Sequence, residues 1–265
     1  MAGWDLNIRA SGASHGKYGH VIIDRYMITG NVKKFDGDVD TDNADGTGLG
    51  MEVEDSLPGI SKVNWKIDGM LSTVNERSMF ELKRRQSPFF TGSFPKGFAA
   101  GALADCMPAS FGKYSKGFGT KEESSIKAEV MARAAYHEGV ILLSPKTLLT
   151  GTSGVGPEDD NTPHGGATTF GGALYAWLPQ VNGGTTPTIT FKLTHSTTLG
   201  GTYTDVVGGA LPAMSIGTSD SQVKQLYIPS TSTIQAFTQI AWTATGTPTN
   251  FQPLVVSARG YDRSL

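Results

Sequence analysis

The sequence predicts a mainly β protein of two domains, with one helix flanking the first. Three observations lead there. Residues 63 to 71, VNWKIDGML, follow the Pro58-Gly59 turn and set Val63, Trp65, Ile67, Gly69 and Leu71 against Asn64, Lys66 and Asp68. Side chains two apart share one face of a strand, so one face needs a core and the other needs water. The last hundred residues break into short Thr, Ile, Val and aromatic runs separated by Gly, Ser and Pro, which is the pattern of an all-β sandwich. The 34 glycines and abundant Thr favour strands joined by many turns.

Composition bounds the rest. A chain of 265 residues has room for one large or two ordinary domains. Its 38% hydrophobic content, with Gly added, is globular and excludes wholesale disorder. With 22 basic and 24 acidic residues the net charge is -2, so whole-protein attraction to nucleic acid or membrane is not expected and any electrostatic function is local. Cys106 is the only cysteine, which excludes an intrachain disulfide and a thiolate cluster. The start, MAGWDLNIRASG, lacks a basic segment followed by an apolar run, and nowhere do eighteen apolar residues follow one another. The expectation is a chain made and folded in a cytoplasm, without membrane insertion.

Charge marks the boundary between domains. Residues 1 to 164 hold 39 of the 46 charged residues, which leaves seven for the last 101. Between the two regions, GTSGVGPEDDNTPHGGATTFGG (151 to 172) is too rich in Gly, Pro, Thr and acids to fill a core and reads as an extended linker. The expected division is a first domain over 1–150, a linker over 151–170 and a terminal sandwich over 171–265, with the break near 165.

In the first domain HVIIDRYMITG (20 to 30) has the β-branched content of a strand. Asn75 caps ERSMFELKRRQ, where Met79, Phe80 and Leu82 cluster and basic residues close the last turn, so a short amphipathic helix is expected before Pro88. Residues 89 to 120 are aromatic and Gly-rich without a clear period and read as irregular loops with short strands. SSIKAEVMARAAYHEGVILL (124 to 143) is helical by propensity, yet it alternates like a strand: Ile126, Ala128, Val130, Ala132, Ala134 and Tyr136 against Lys127, Glu129, Met131 and Arg133. In the terminal domain strands are expected at 189 to 195, 223 to 229, 233 to 245 and 251 to 260, with Ile189, Phe191 and Leu193 inward and Thr190, Lys192 and Thr194 outward.

Residues 36 to 55 contain eight acids, and no base occurs from Phe35 to Ser61. A calcium loop of the EF-hand kind needs Gly at its sixth position and Glu at its twelfth. Counted from Asp36, Asp38 or Asp40, neither falls in place. A solvated loop is the plainer reading, and a surface that repels polyanions is a third. His15, His20, His137, His164 and His195 have no metal-ligand spacing, and no nucleophile elbow or phosphate loop is present. No cofactor, metal or catalytic constellation is expected. The basic run Leu82 to Gln86 suits a helix C-terminus as well as a phosphate.

The order of ITGNVKKF (28 to 35), the acidic segment, SLPGISKVNWKIDGML (56 to 71), a helix at 75 to 86 and a strand pair near 126 to 143 resembles the major tail tube proteins of long-tailed, siphovirus-like bacteriophages. The resemblance covers residues 20 to 150. ITFKLTHSTTLGGTYTDVVGGA (189 to 210) and the late strand ending SARG resemble a β-sandwich appended to some of these proteins, immunoglobulin-like or jelly-roll-like. The resemblance implies a tube domain that is a β-sandwich or barrel with a flanking helix, and it favours strands over 124 to 143. It further implies a structural virion protein, not an enzyme, assembled in the host cytoplasm. Six-fold rings of this protein would stack into a hollow tube that conducts phage DNA without specific binding. Tail terminator, tape measure and distal tail proteins are implied partners, and the terminal sandwich would decorate the tube exterior, with weak host-surface glycan contact. A glycan-binding surface module is the alternative reading. Candidates for lumen or inter-ring surface are Asp36, Asp38, Asp40, Asp42 and Asp45 with Asn64, Lys66 and Asp68, then Lys127, Glu129 and Arg133.

Overall fold

The computed structural model describes residues 19–24, 26–27, 32–45, 56–70, 89–95, 97–117, 125–133, 136–162, 166–178, 187–215, 222–246 and 250–260. Its elements are strands: β1 (His20–Ile23), β2 (Tyr26–Met27), β3 (Val32–Asp45), β4 (Ser56–Met70), β5 (Phe89–Phe94), β6 (Leu103–Gly117), β7 (Ser125–Ala132) and β8 (His137–Leu143). There follow β9 (Ser153–Val155), β10 (Asp159–Asp160), β11 (Gly172–Leu178), β12 (Thr188–Ser196), β13 (Thr204–Ala210), β14 (Met214–Ser215), β15 (Gln222–Ile228), β16 (Phe237–Thr245) and β17 (Leu254–Arg259). The protein is therefore mainly β. It forms two compact units that interleave along the chain, one of residues 1–27, 92–106 and 137–265 and the other of residues 28–91 and 107–136. These units do not follow the step in charge content near residue 165.

The larger unit holds a β-sandwich. One layer carries the order β15-β11-β17-β8, continuing through the first residues of β6, and the other is β10-β16-β12-β13 with β14 on β12 and β9 on β16. Alternation on β12 aims Ile189, Phe191 and Leu193 inward, where they meet Ile240, Trp242 and Ala244 of β16 and Leu174, Ala176 and Leu178 of β11. Lys192 is exposed as expected, but Thr194 is buried, its hydroxyl donating to the Gln239 carbonyl at 3.1 Å. A satisfied hydroxyl is tolerated inside, so the polar residue type did not dictate its face. Strand β11 is covered on both sides. On its second face Ala173, Tyr175 and Trp177 are buried, Trp177 meets Phe94 edge-on at 5.9 Å, and its Nε1 donates to the Asp24 carbonyl at 3.0 Å.

Three local expectations change. Residues 36 to 45 are strand rather than loop, because β4 supplies every partner in register from Lys34↔Asp68 to Asp45↔Ser56, with one irregularity after Thr41. Residues 103 to 117 are one long strand, not irregular loop. The segment read as a linker is pinned: Ser153–Val155 and Asp159–Asp160 pair with β16, and Thr168 bridges Ile234. The ambiguous 124 to 143 segment is the two strands β7 and β8. The helix expected over 75 to 86 lies outside the described residues.

The smaller unit contains the antiparallel order β3-β4-β7, joined by the later part of β6. Val63, Trp65 and Ile67 of β4 and Ala128 and Val130 of β7 are buried on one face. Phe35 meets Trp65 edge-on at 5.3 Å. Among the described residues β3 pairs with β4 alone, so no described strand lies along its other edge, which runs for 14 residues or about 46 Å at the usual rise of a strand.

Candidate functional site

The candidate site is the polar face of this four-stranded region. Residues directly opposite in antiparallel strands share a face, so the register reads out its composition. One row across the strands runs Asp36, Lys66, Glu129, Lys113, and the adjacent row runs Lys34, Asp68, Lys127, Ser115. A third runs Asp38, Asn64, Met131, Ser110. Along each of the first two rows the charge alternates, and the two rows are out of phase. Lys34, Lys66, Lys113 and Lys127 stand against Asp36, Asp38, Asp68 and Glu129.

The contacts knit neighbours together. Lys34 Nζ donates to Asp36 Oδ2 at 2.5 Å, Lys66 Nζ to Asp38 Oδ2 at 3.3 Å, and Lys127 Nζ lies 3.9 Å from Asp68 Oδ2. Asn64 Nδ2 donates to Glu129 Oε1. The hydrogen bond and charge of Asp36 hold the Lys34 ammonium above its ordinary pKa. Lys34, Lys66 and Lys127 are thus each turned toward an acid, while their side chains stay largely in water.

The opposite face explains why the array is ordered. Phe111 and Tyr114 stand opposite the buried Val130 and Ala128, although residues three apart would fall on opposite faces of a regular strand. A bulge at Gly112 restores the phase. A Cβ at Gly112 would lie 3.0 Å from both Sδ and Cε of Met131, the flexible end of an exposed side chain that can turn aside, so the bulge rests on the register and not on a lack of space. The same bulge brings Lys113 into the row beside Glu129.

The structure gathers Asp36, Asp38, Asn64, Lys66, Asp68, Lys127 and Glu129 on one face. Asp40 stands opposite Lys62 and Asp45 opposite Ser56 on β3, and Asp42 falls at the irregularity between Thr41 and Asn43. Arg133 lies past the end of β7, exposed, where its Nε donates to Ser110 Oγ at 2.7 Å and its backbone N–H to the Pro108 carbonyl at 2.8 Å. Sequence reasoning missed Lys34 and Lys113. Lys34 was detectable, being two residues from Asp36, whereas Lys113 was hidden by the bulge. Among the described residues no group of three or more His, Cys, Asp or Glu is placed to hold a metal ion, and no helix is long and apolar enough to cross a membrane.

No protein-family model matches the chain, and no curated protein matches it. Among solved structures it is similar to a chain from the virion of a native gene transfer agent particle, at 14% identity and a TM-score of 0.40, over 47% of this chain and 97% of that one. A chain from the tail of an empty gene transfer agent particle, refined helically with C6 symmetry, is matched at 14% identity and 0.39 over the same shares. The SPP1 Dit protein, described as a paradigm of the hub adsorption apparatus in phages infecting Gram-positive hosts, is matched at 10% identity and 0.37, over 92% of this chain and 99% of that one. At these identities and scores the likenesses establish neither a family nor a function for the chain.

Proposed function

We propose that the protein is a structural virion protein of a bacteriophage tail, forming hexameric rings that stack into the tube through which genomic DNA leaves the particle. The observation that carries the reading is the sheet β3-β4-β7-β6, with one face buried, the other charged but balanced, and β3 paired along one edge only among the described residues. The sequence resemblance over residues 20 to 150 supports the same reading. Open strand edges are a liability unless another chain or a closed ring covers them, and ring stacking is a heterologous contact that extends without limit. In this arrangement Asn64, Lys66, Asp68, Lys127 and Glu129 line the channel. Asp36 and Asp38 continue that wall, Asp40, Asp42 and Asp45 belong to the lumen or inter-ring surface with them, and Arg133 flanks it.

The function is mechanical, and the protein makes and breaks no bonds. Duplex DNA is densely charged, and a wall of unpaired lysines would bind it strongly at moderate salt. A conduit needs weak contacts. The terminal sandwich stands on the tube exterior in this reading, and tail terminator, tape measure and distal tail proteins meet the tube at its ends and interior. Negative-stain electron microscopy of the purified full-length protein, with light scattering, tests it. Rings or tubes are expected. Monodisperse monomers at high concentration that bind sugars would replace the reading with a glycan-binding module.

A further inference from the structure

The charge pattern of the polar face carries more than its net neutrality. Two rows of charges alternate across the strands and are out of phase along them, so within these two rows each charge on β4 and β7 has neighbours of opposite sign both across and along the strands. In the third row the acid Asp38 stands beside the acid Asp36 at the β3 edge. Strands lie about 4.8 Å apart and same-face residues about 6.7 Å apart, so the pattern repeats every ~10 Å in one direction and ~13 Å in the other. The potential above an alternating array of that spacing falls off within about 2 Å, whereas a patch of one sign projects over a Debye length of about 8 Å at physiological salt.

We propose that this checkerboard makes the face electrostatically silent toward polyanions, so that duplex DNA passing over it is neither captured by the lysines nor held away by the acids. The silence comes from the alternation of sign between neighbouring positions and not from the balance of totals alone. A wall of acids would repel DNA over a Debye length and a wall of lysines would retain it. The alternating face does neither beyond direct contact. The ion pairs are arranged to keep it so, since the lysines at 34, 66 and 127 each approach a carboxylate. Duplex DNA is named as the polyanion on the strength of the tail-tube reading, and the silence itself depends only on the face.

The test measures binding of a fluorescent DNA duplex to the full-length protein by anisotropy as salt is lowered. Two variants break the alternation. The pair Asp36→Asn with Asp68→Asn removes acids and is expected to raise affinity at low salt by about tenfold or more, with a steep salt dependence. The exchange Asp36→Lys with Lys66→Asp leaves net charge unchanged but sets two lysines side by side at positions 34 and 36. It is expected to gain several-fold in affinity as well. The pair Lys66→Gln with Lys127→Gln is expected to gain nothing. These groups are solvent-exposed, and thermal melts confirm that each variant folds. No gain in the exchange variant overturns the role of alternation, and weaker binding in the lysine variant than in the unaltered protein overturns the silence. Failure to form rings would sink the tube reading while leaving these binding results as they stand.

Discussion

Lys127 Nζ lies 3.9 Å from Asp68 Oδ2 across the β4–β7 pair, and the two side chains keep 68% and 40% of their surface in water. An ion pair so exposed holds little folding energy, because water screens it and two long side chains lose freedom to form it. Asp68→Asn is expected to change stability by less than about 1 kcal/mol in urea unfolding. The charges of the face are thereby free to be set by what the face meets.

The residues between them behave oppositely. Trp65 is 2% exposed and packs against Phe35, so Trp65→Ala is expected to cost roughly 3 to 5 kcal/mol in the same measurement. Lys66→Ala, one position away, is expected to fall within about 0.5 kcal/mol of the unaltered protein. Similar costs at the two positions would mean that the alternation does not separate core from solvent.

Gly171 has φ of +62, and a Cβ there would lie 2.1 Å from the Pro229 carbonyl oxygen and 2.4 Å from that of Ile228. Both the backbone conformation and the space exclude a side chain. Gly171→Ala is expected to cost more than about 2 kcal/mol, well beyond the usual effect of Gly→Ala at a compatible site.

His20 is buried and stacks on Phe98 at 4.3 Å, and neither ring nitrogen has a hydrogen-bond partner among the described residues. Burial, aided by the charge of Lys146, lowers its pKa to about 4. Between the ordinary value near 6.5 and 4 the unfolded chain binds a proton that the folded chain refuses, so stability falls as pH falls through that window. The contribution is flat above it. One proton gives a slope of at most about 1.4 kcal/mol per pH unit. Subtracting the profile of His20→Phe, which keeps the stack, should isolate this slope, and identical profiles would contradict it.

Cys106 is fully buried on β6, opposite His137, and burial together with Asp105 raises its thiol pKa well above the ordinary range. The thiolate is the reactive form. Iodoacetamide should therefore label the native protein far more slowly than the denatured protein at pH 8, and equal rates would place the thiol at the surface.

How far the sequence could be read depended on whether each strand had one buried face. Val63, Trp65 and Ile67, and likewise Ala128 and Val130, are legible because the residues between them along each strand, Asn64, Lys66, Asp68, Lys127 and Glu129, are polar and period two is undisturbed. Strand β11 escapes such reading, since both its faces are buried and its seven residues therefore do not alternate. In β6 the Gly112 bulge shifts the phase midway and erases the period. Asp-rich β3 has poor intrinsic strand preference, and it is strand because a distant segment pairs with it residue by residue. The acids of the site were legible as acids. Their balancing by Lys34, Lys66, Lys113 and Lys127 was not, because that balance exists only once four strands are in register.

Cryo-electron microscopy of the assembled protein tests the central claim most directly. The account predicts six-fold rings stacked into a tube, with β3 covered by a neighbouring copy and the Lys66 and Asp68 side chains facing the channel axis. A tube in which Lys66 and Asp68 face outward, away from the axis, would contradict it.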